Sequence, residues 1–499
     1  MEKKEYILRL IDSMQTTVDT LSKEVLIATN RDEVMLKEKA FSAYAFNACL
    51  VGVDFVYISV TISALAALKA DNVHAKRYHW KNVVVGISEG IKYIYTFRGS
   101  EKKTLIGYLK TLLNESDTMP PEIKNSLSIL QLLLNRFTAN WDGKDMRDIA
   151  LHYDKSAERL IKKTMSIIDE EPYASLLSSY LLIMNILHSI CTFGYLHSLI
   201  KNNFGCNDVD LNGAGLLDND GRHMCAIQAL LKRKMFKAAT EKYLCEYGKR
   251  FLVSIALFEK IQKGYEFLGI IKGEKSFNGQ LEKFYQLNNL YSLVMYSMLD
   301  LLSITDSYLS SKTEIEAALN MRYFLIIKAS VLTQIIGYTE EEASESLWSE
   351  MKQLIPESDH HLHDKAEKLE SCLKEKVQDQ NIRMVRAKLI HLKFSKKMPN
   401  DVKDILSILN KFDPLMEFYK VIDLIELMIK VVKFIDGLLA SIGKETTLEQ
   451  QKLQDKLCNM FSSFRDLIEN NITDCAQKEE MLASMNEGED TLRMLLKQN

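Results

Sequence analysis

The chain has 499 residues, 47% of them hydrophobic and 26% charged, with a formal net charge of -3 at pH 7. That length can bury a sizeable core without help from a metal or a disulfide, and the near-balance of charge excludes a chain-wide affinity for polyanions, so any nucleic-acid surface has to be local. The eight cysteines never approach the close pairing of zinc or redox motifs and read as reduced core thiols of a cytosolic protein.

Pro120, Pro121, Pro172, Pro356, Pro399 and Pro414 each fall beside a polar or charged cluster, where helices are expected to stop. Apolar residues recur between them with a period near 3.6 and strict alternation is nearly absent, which predicts an all-α fold. The amino-terminal MEKKEYILRLIDSM carries charges inside its helical period and has no uninterrupted apolar stretch with a cleavage site, so export is not expected. Two segments, residues 43–68 and 173–200, are long enough for the roughly 20 residues that cross a bilayer. Asn47 and Asp54 interrupt the first and His188 and His197 the second, and basic clusters do not flank them. Both are therefore expected to be buried core helices, with no membrane insertion, in a cytoplasmic protein.

The second half of the chain repeats landmarks of the first in the same order. VDFVYISVTISAL from Val53 has a counterpart in LDLLSITDSYLS from Leu299, which sets Asp54 opposite Asp300. RYHWKNVVVGISEGIKYIY from Arg77 matches RYFLIIKASVLTQIIGY from Arg322, and RDIALH at 147–152 matches RAKLIH at 386–391. The last pair shares arginine, four residues, histidine. The reading is an internal duplication, with a first helical domain at 1–200, a connector at 201–275, a second helical domain at 276–440 and C-terminal helices at 441–499.

Histidine exchanges protons near neutral pH, and arginine forks two N–H donors toward phosphate oxygens and stabilises the charge that grows during phosphoryl transfer. The two suffice for metal-free RNA cleavage in which the ribose 2'-hydroxyl attacks the adjacent phosphate. On one helix, however, residues five apart point about 140° from each other. Two motifs facing each other would converge where one cannot, so Arg147, His152, Arg386 and His391 are expected to line a single cleft as catalytic residues.

An all-helical unit with arginine, four to six residues and histidine, especially with Asn, Asp or His after the arginine as in RDIALH, resembles the HEPN superfamily. The resemblance covers about residues 40–200 and 280–440. It implies a tandem of two HEPN-like bundles forming a pseudo-dimer, and a metal-independent endoribonuclease of toxin or anti-phage defence type. RNA and a protein antitoxin or regulator are its implied partners, and no cofactor is implied. The second copy departs from the first, with Ala387 where the first has Asp148, so the halves are expected to be unequal. Tyr153 follows His152 directly, whereas superfamily toxins silenced by a nucleotidyltransferase antitoxin often carry tyrosine two positions after the histidine.

Asp148, Tyr153, Arg77, Arg322 and Glu89 are read as supporting residues, the last three as buried polar pairs between the halves, and Arg77 and Arg322 as partners of Asp54 and Asp300. Lys388, Lys393, Lys396 and Lys397, with no acid among them, are read as RNA-binding. The stretch 231–250 reads as one basic helix, its charge serving a solvated face or RNA. SDHHLHDK at 358–365 reads as a loop entering a helix capped by Asp359 or Asp364 rather than a metal site, and no metal is expected. The alternative of a different class is a noncatalytic helical module that binds RNA, nucleotide or protein through a degenerate site.

Overall fold

The computed structural model describes residues 2–37, 41–95, 104–115, 119–139, 170–201, 221–270, 275–357, 359–377, 388–389, 401–471, 478–479, 481–483 and 486. Those residues form helices and turns without a strand, as the periodicity predicts. The helices are α1 (Glu2–Lys37), α2 (Phe41–Lys69), α3 (Val73–Ile94), α4 (Leu105–Glu115), α5 (Pro121–Ala139), α6 (Glu170–Lys201), α7 (Arg222–Lys232) and α8 (Met235–Ile270). They continue with α9 (Lys275–Leu309), α10 (Glu314–Ile335), α11 (Glu340–Ser344), α12 (Leu347–Gln353), α13 (His360–Val377), α14 (Asp401–Leu409) and α15 (Pro414–Asn471).

Local chemistry sets many of the ends. Asn72 accepts from the amides of His74 and Ala75 to open α3, and Thr313 and Thr339 accept from Glu316 and Glu342 to open α10 and α11. Glu316 and Glu342 reach back to the amides of Lys312 and Tyr338, so each end satisfies two donors reciprocally. Asp359 accepts from Leu362 to start α13, as expected, and Asp413 does the same for α15, with Pro414 at the first helical position. Gly337, at φ 76°, closes α10 by donating to the Leu332 carbonyl, a backbone shape that favours glycine.

The chain forms two compact units. Unit 1 comprises Met1–Leu257 and Asn289–Val432, and unit 2 comprises Phe258–Asn288 and Lys433–Asn499. In unit 1, α2 packs against α1, α3, α4, α6 and α14, which explains why its apolar residues surround the helix instead of lining one face. Its most apolar window is wholly buried, so the first of the two segments long enough to cross a membrane is a core helix. The second, in α6, is only 39% buried in its most apolar window, which departs from the expectation. One side of α6 faces α2 and α5, while Ser178, Ser179 and Ser189 face out and Phe193, Leu196 and Ile200 continue that exposed side. In unit 2, the Phe258 and Tyr285 rings meet edge to face, 5.6 Å apart.

Two smaller expectations are corrected. Of the described cysteines, Cys49 and Cys191 lie in the core, but Cys225, Cys245 and Cys372 are exposed, because the helical phase of α7, α8 and α13 turns them outward. The basic stretch 231–250 is also not one helix: it breaks between Lys232 and Met235, where Arg233 donates to the Tyr419 hydroxyl.

Candidate functional site

Arg147, Asp148, His152, Tyr153, Arg386, His391, Lys393, Lys396 and Lys397 lie outside the described residues. Lys388 is exposed and its neighbour Leu389 is buried. Arg77, Glu89 and Arg322, expected to be buried polar groups, are buried, and they show how the two parts of unit 1 meet.

On one side, α3 meets α9 and α8. The Arg77 guanidinium lies over the rings of Tyr296, at 4.5 Å, and Phe251, at 5.2 Å. One turn on, Lys81 forms a buried ion pair with Asp300 and sits 5.0 Å above the Tyr296 ring. His79 shares a 3.0 Å hydrogen bond with Ser307. Burial, reinforced by the Lys81 charge, pushes the His79 imidazole down to about 3, so the ring is neutral at physiological pH.

On the other side, α10 meets α2. Arg322 lies over the Phe55 ring at 5.4 Å, and its neighbour Tyr323 hydrogen-bonds Ser63. Burial pulls the Arg322 pKa down, while Tyr323 and Glu89 act in the opposite direction. The Arg322 Nε donates to the Leu389 carbonyl at 2.8 Å. Leu389 belongs to RAKLIH and precedes His391 by two residues, so a buried arginine holds the backbone of one residue of that stretch.

Asp54 takes a partner other than an arginine, and Asp300 has a close partner in a lysine. Asp300 meets Lys81, and Asp54 meets His188 of α6, Oδ1 to Nδ1 at 2.6 Å. The pairs Tyr57–Asn185 and Asp54–His188 step in opposite directions along α2 and α6, so these helices run antiparallel. A side chain at Gly194 would collide with the Phe46 ring, and this close approach carries His188 onto Asp54. On the other ring nitrogen, Nε2 lies 3.8 Å from Glu24 Oε2 of α1 and 3.4 Å from Thr192 Oγ1.

Burial pushes the Asp54 carboxyl up to about 6, against the pull of His188. Burial disfavours the charged His188 ring, but the hydrogen bond and charge of Asp54, with Glu24, outweigh it and leave the imidazole above its ordinary value. A carboxylate on Nδ1 leaves Nε2 facing Glu24 and the partly exposed side, an arrangement suited to exchanging a proton. The sequence holds a signal for this group: Asp54 and His188 each interrupt one of the two most apolar segments, and a buried acid requires a partner.

No protein-family model, curated protein or solved structure shows a significant match to this chain. What the structure defines is an all-helical protein in which residues 55–81 meet residues 251–322 through two groups of buried polar and aromatic contacts.

Proposed function

We propose that the chain is a metal-independent endoribonuclease of HEPN type, built as two tandem bundles whose motifs close one composite site. The observation that carries the reading is reciprocal: α3 of the first half grips α9 of the second through Arg77 and Lys81, while α10 of the second grips α2 of the first through Arg322. Arg77 and Arg322 are counterparts in the repeat, and each stacks on an aromatic ring of the other half. An exchange of this kind suits a pseudo-dimer in one chain. The Arg322 hydrogen bond to Leu389 adds a route by which these contacts position the second motif.

In this reading His152 and His391 transfer protons, Arg147 and Arg386 bind phosphate and stabilise developing charge, and Lys388, Lys393, Lys396 and Lys397 attract the RNA backbone. Attack of the 2'-hydroxyl on the phosphate expels the 5'-oxygen, which takes a proton, and leaves a 2',3'-cyclic phosphate.

Incubating the full chain with total RNA in excess EDTA tests this. Cleavage leaving cyclic phosphate ends is expected, with His152→Ala lowering the rate at least roughly a hundredfold. RNA left intact by the wild type, or cut equally well by the His152→Ala variant, overturns it. RNA bound without cleavage identifies a binding module instead.

A further inference from the structure

We propose that Glu24, Asp54 and His188 form a binding site for one divalent transition-metal ion, with Zn²⁺ as the best fit. The inference does not rest on the ribonuclease reading. The three residues come from α1, α2 and α6, and one ligating atom from each lies within 4.8 Å of the others. Their placement therefore depends on packing among three helices, and the chain separates Asp54 from His188 by 134 positions.

The donor set chooses the ion. Two carboxylates and one imidazole suit Zn²⁺ and similar ions, which accept mixed nitrogen and oxygen ligands, whereas Mg²⁺ and Ca²⁺ favour oxygen throughout. Two ionised carboxylates around a neutral ring carry the charge that a divalent cation balances. Three protein ligands also leave a fourth position open, which is the pattern of a site that exchanges its ion or works on a bound water.

A second observation concerns Asp54 alone. Its side chain is completely buried, one oxygen faces His188, and the other, Oδ2, has no hydrogen-bond partner among the described residues. A buried carboxylate oxygen left without a donor is unfavourable, and a cation supplies what it lacks. Access is open from the other two ligands, whose side chains are 24% exposed for His188 and 43% for Glu24. The short Asp54–His188 hydrogen bond is then the proton-held form of the site. Metal enters as the bridging proton leaves to solvent, with no change of oxidation state.

The test titrates ZnCl₂ into the chelator-treated full chain by calorimetry, with MgCl₂ as the control and metal content measured after dialysis. One equivalent of Zn²⁺ with micromolar or tighter affinity is expected, along with a rise in Tm. Glu24→Gln and His188→Gln should each weaken binding by roughly a hundredfold. Glu24 is partly exposed, so its variant is expected to fold as the wild type does, which circular dichroism verifies. Replacing His360, His361 and His363 together by glutamine should leave the single equivalent in place. Co²⁺ should give a visible absorption band in the wild type that the Glu24→Gln variant lacks. Absence of stoichiometric Zn²⁺ binding, or binding unchanged by both ligand variants, overturns the proposal and leaves a proton-linked ion pair. Loss of the equivalent in the triple histidine variant alone also overturns it.

Discussion

Asp54 and Asp300 each interrupt an apolar helix, and both are completely buried. Their surroundings differ in kind. Asp300 is closed by Lys81, which is itself buried and set against aromatic rings. Asp54 is closed by His188, whose imidazole Asp54 and Glu24 hold above its ordinary value and which reaches solvent. One position thus serves to hold the core together, and the other leaves its charge adjustable from outside. A buried acid does not declare its role by its own burial; the partner decides it.

The comparison breaks most sharply at Lys81. Lys81→Met leaves the Asp300 charge without this partner in the core and is expected to cost about 3–5 kcal/mol in denaturant unfolding. The double variant Lys81→Met with Asp300→Leu should recover much of that loss, since the desolvated charge goes with it. A double variant no more stable than the single one would mean that the ion pair is not what Lys81 contributes.

Acid should separate the two regions next. His79, beside Lys81, lies near 3 in the folded chain against about 6.5 when unfolded, so its contribution is complete above about 6.5 and is lost as pH falls toward 3. Burial, with Arg77 for one and Arg222 for the other, holds His74 and His223 near 4, and both act in the same sense. Asp54 runs the other way. Its folded value near 6 exceeds the ordinary 3.8, so its contribution is complete below about 3.8 and is lost as pH rises through about 6. His188, also raised, has the same sign. Stability should therefore fall on acidification below about 6.5, by up to about 4 kcal/mol from His79 alone. His79→Asn should flatten the profile between pH 6.5 and 3 in urea unfolding, and an unchanged slope would show that this ring titrates normally. Asp54→Asn should make the wild-type fall between pH 6 and 4 steeper, because it removes the opposing term.

Arg322→Met probes the contact between α10 and α2 without touching either aspartate. It leaves the Leu389 carbonyl without its 2.8 Å donor and is expected to cost about 2 kcal/mol. On the ribonuclease reading it should also lower cleavage more than RNA binding, because it frees the segment that carries His391. Equal losses in both would assign Arg322 to folding alone.

The periodicity and the proline positions were enough to predict helices and the core role of α2, and TEIE and TEEE announce the caps at Thr313 and Thr339 through their acid three residues after the threonine. Arg77, Glu89 and Arg322 could be recognised as buried because charged residues recurred on apolar helices. Their partners could not, since a helical pattern fixes the face a residue occupies but not which distant helix covers it. Nothing in the local pattern marks Lys81, and only the approach of α9 makes it the counterion of Asp300. Glu24 was hidden for a different reason: it sits on a helix rich in charged residues, where nothing local distinguishes it from its neighbours. The motif residues Arg147 and His152 carry the functional reading on sequence alone.

The smallest effect tests the adjustable side. Glu24 is partly exposed and 3.8 Å from the His188 ring, so Glu24→Gln should change stability by less than about 0.5 kcal/mol in metal-free buffer. The same substitution should abolish the stabilisation that Zn²⁺ gives the wild type, since mass action rewards only the state that binds. Asp300 is completely buried against Lys81, which is itself buried, so the pair offers no such exposed ligand. If Glu24→Gln were costly without metal, the charge on α1 would belong to the closed core, and the contrast between the two aspartates would reduce to a difference in partner.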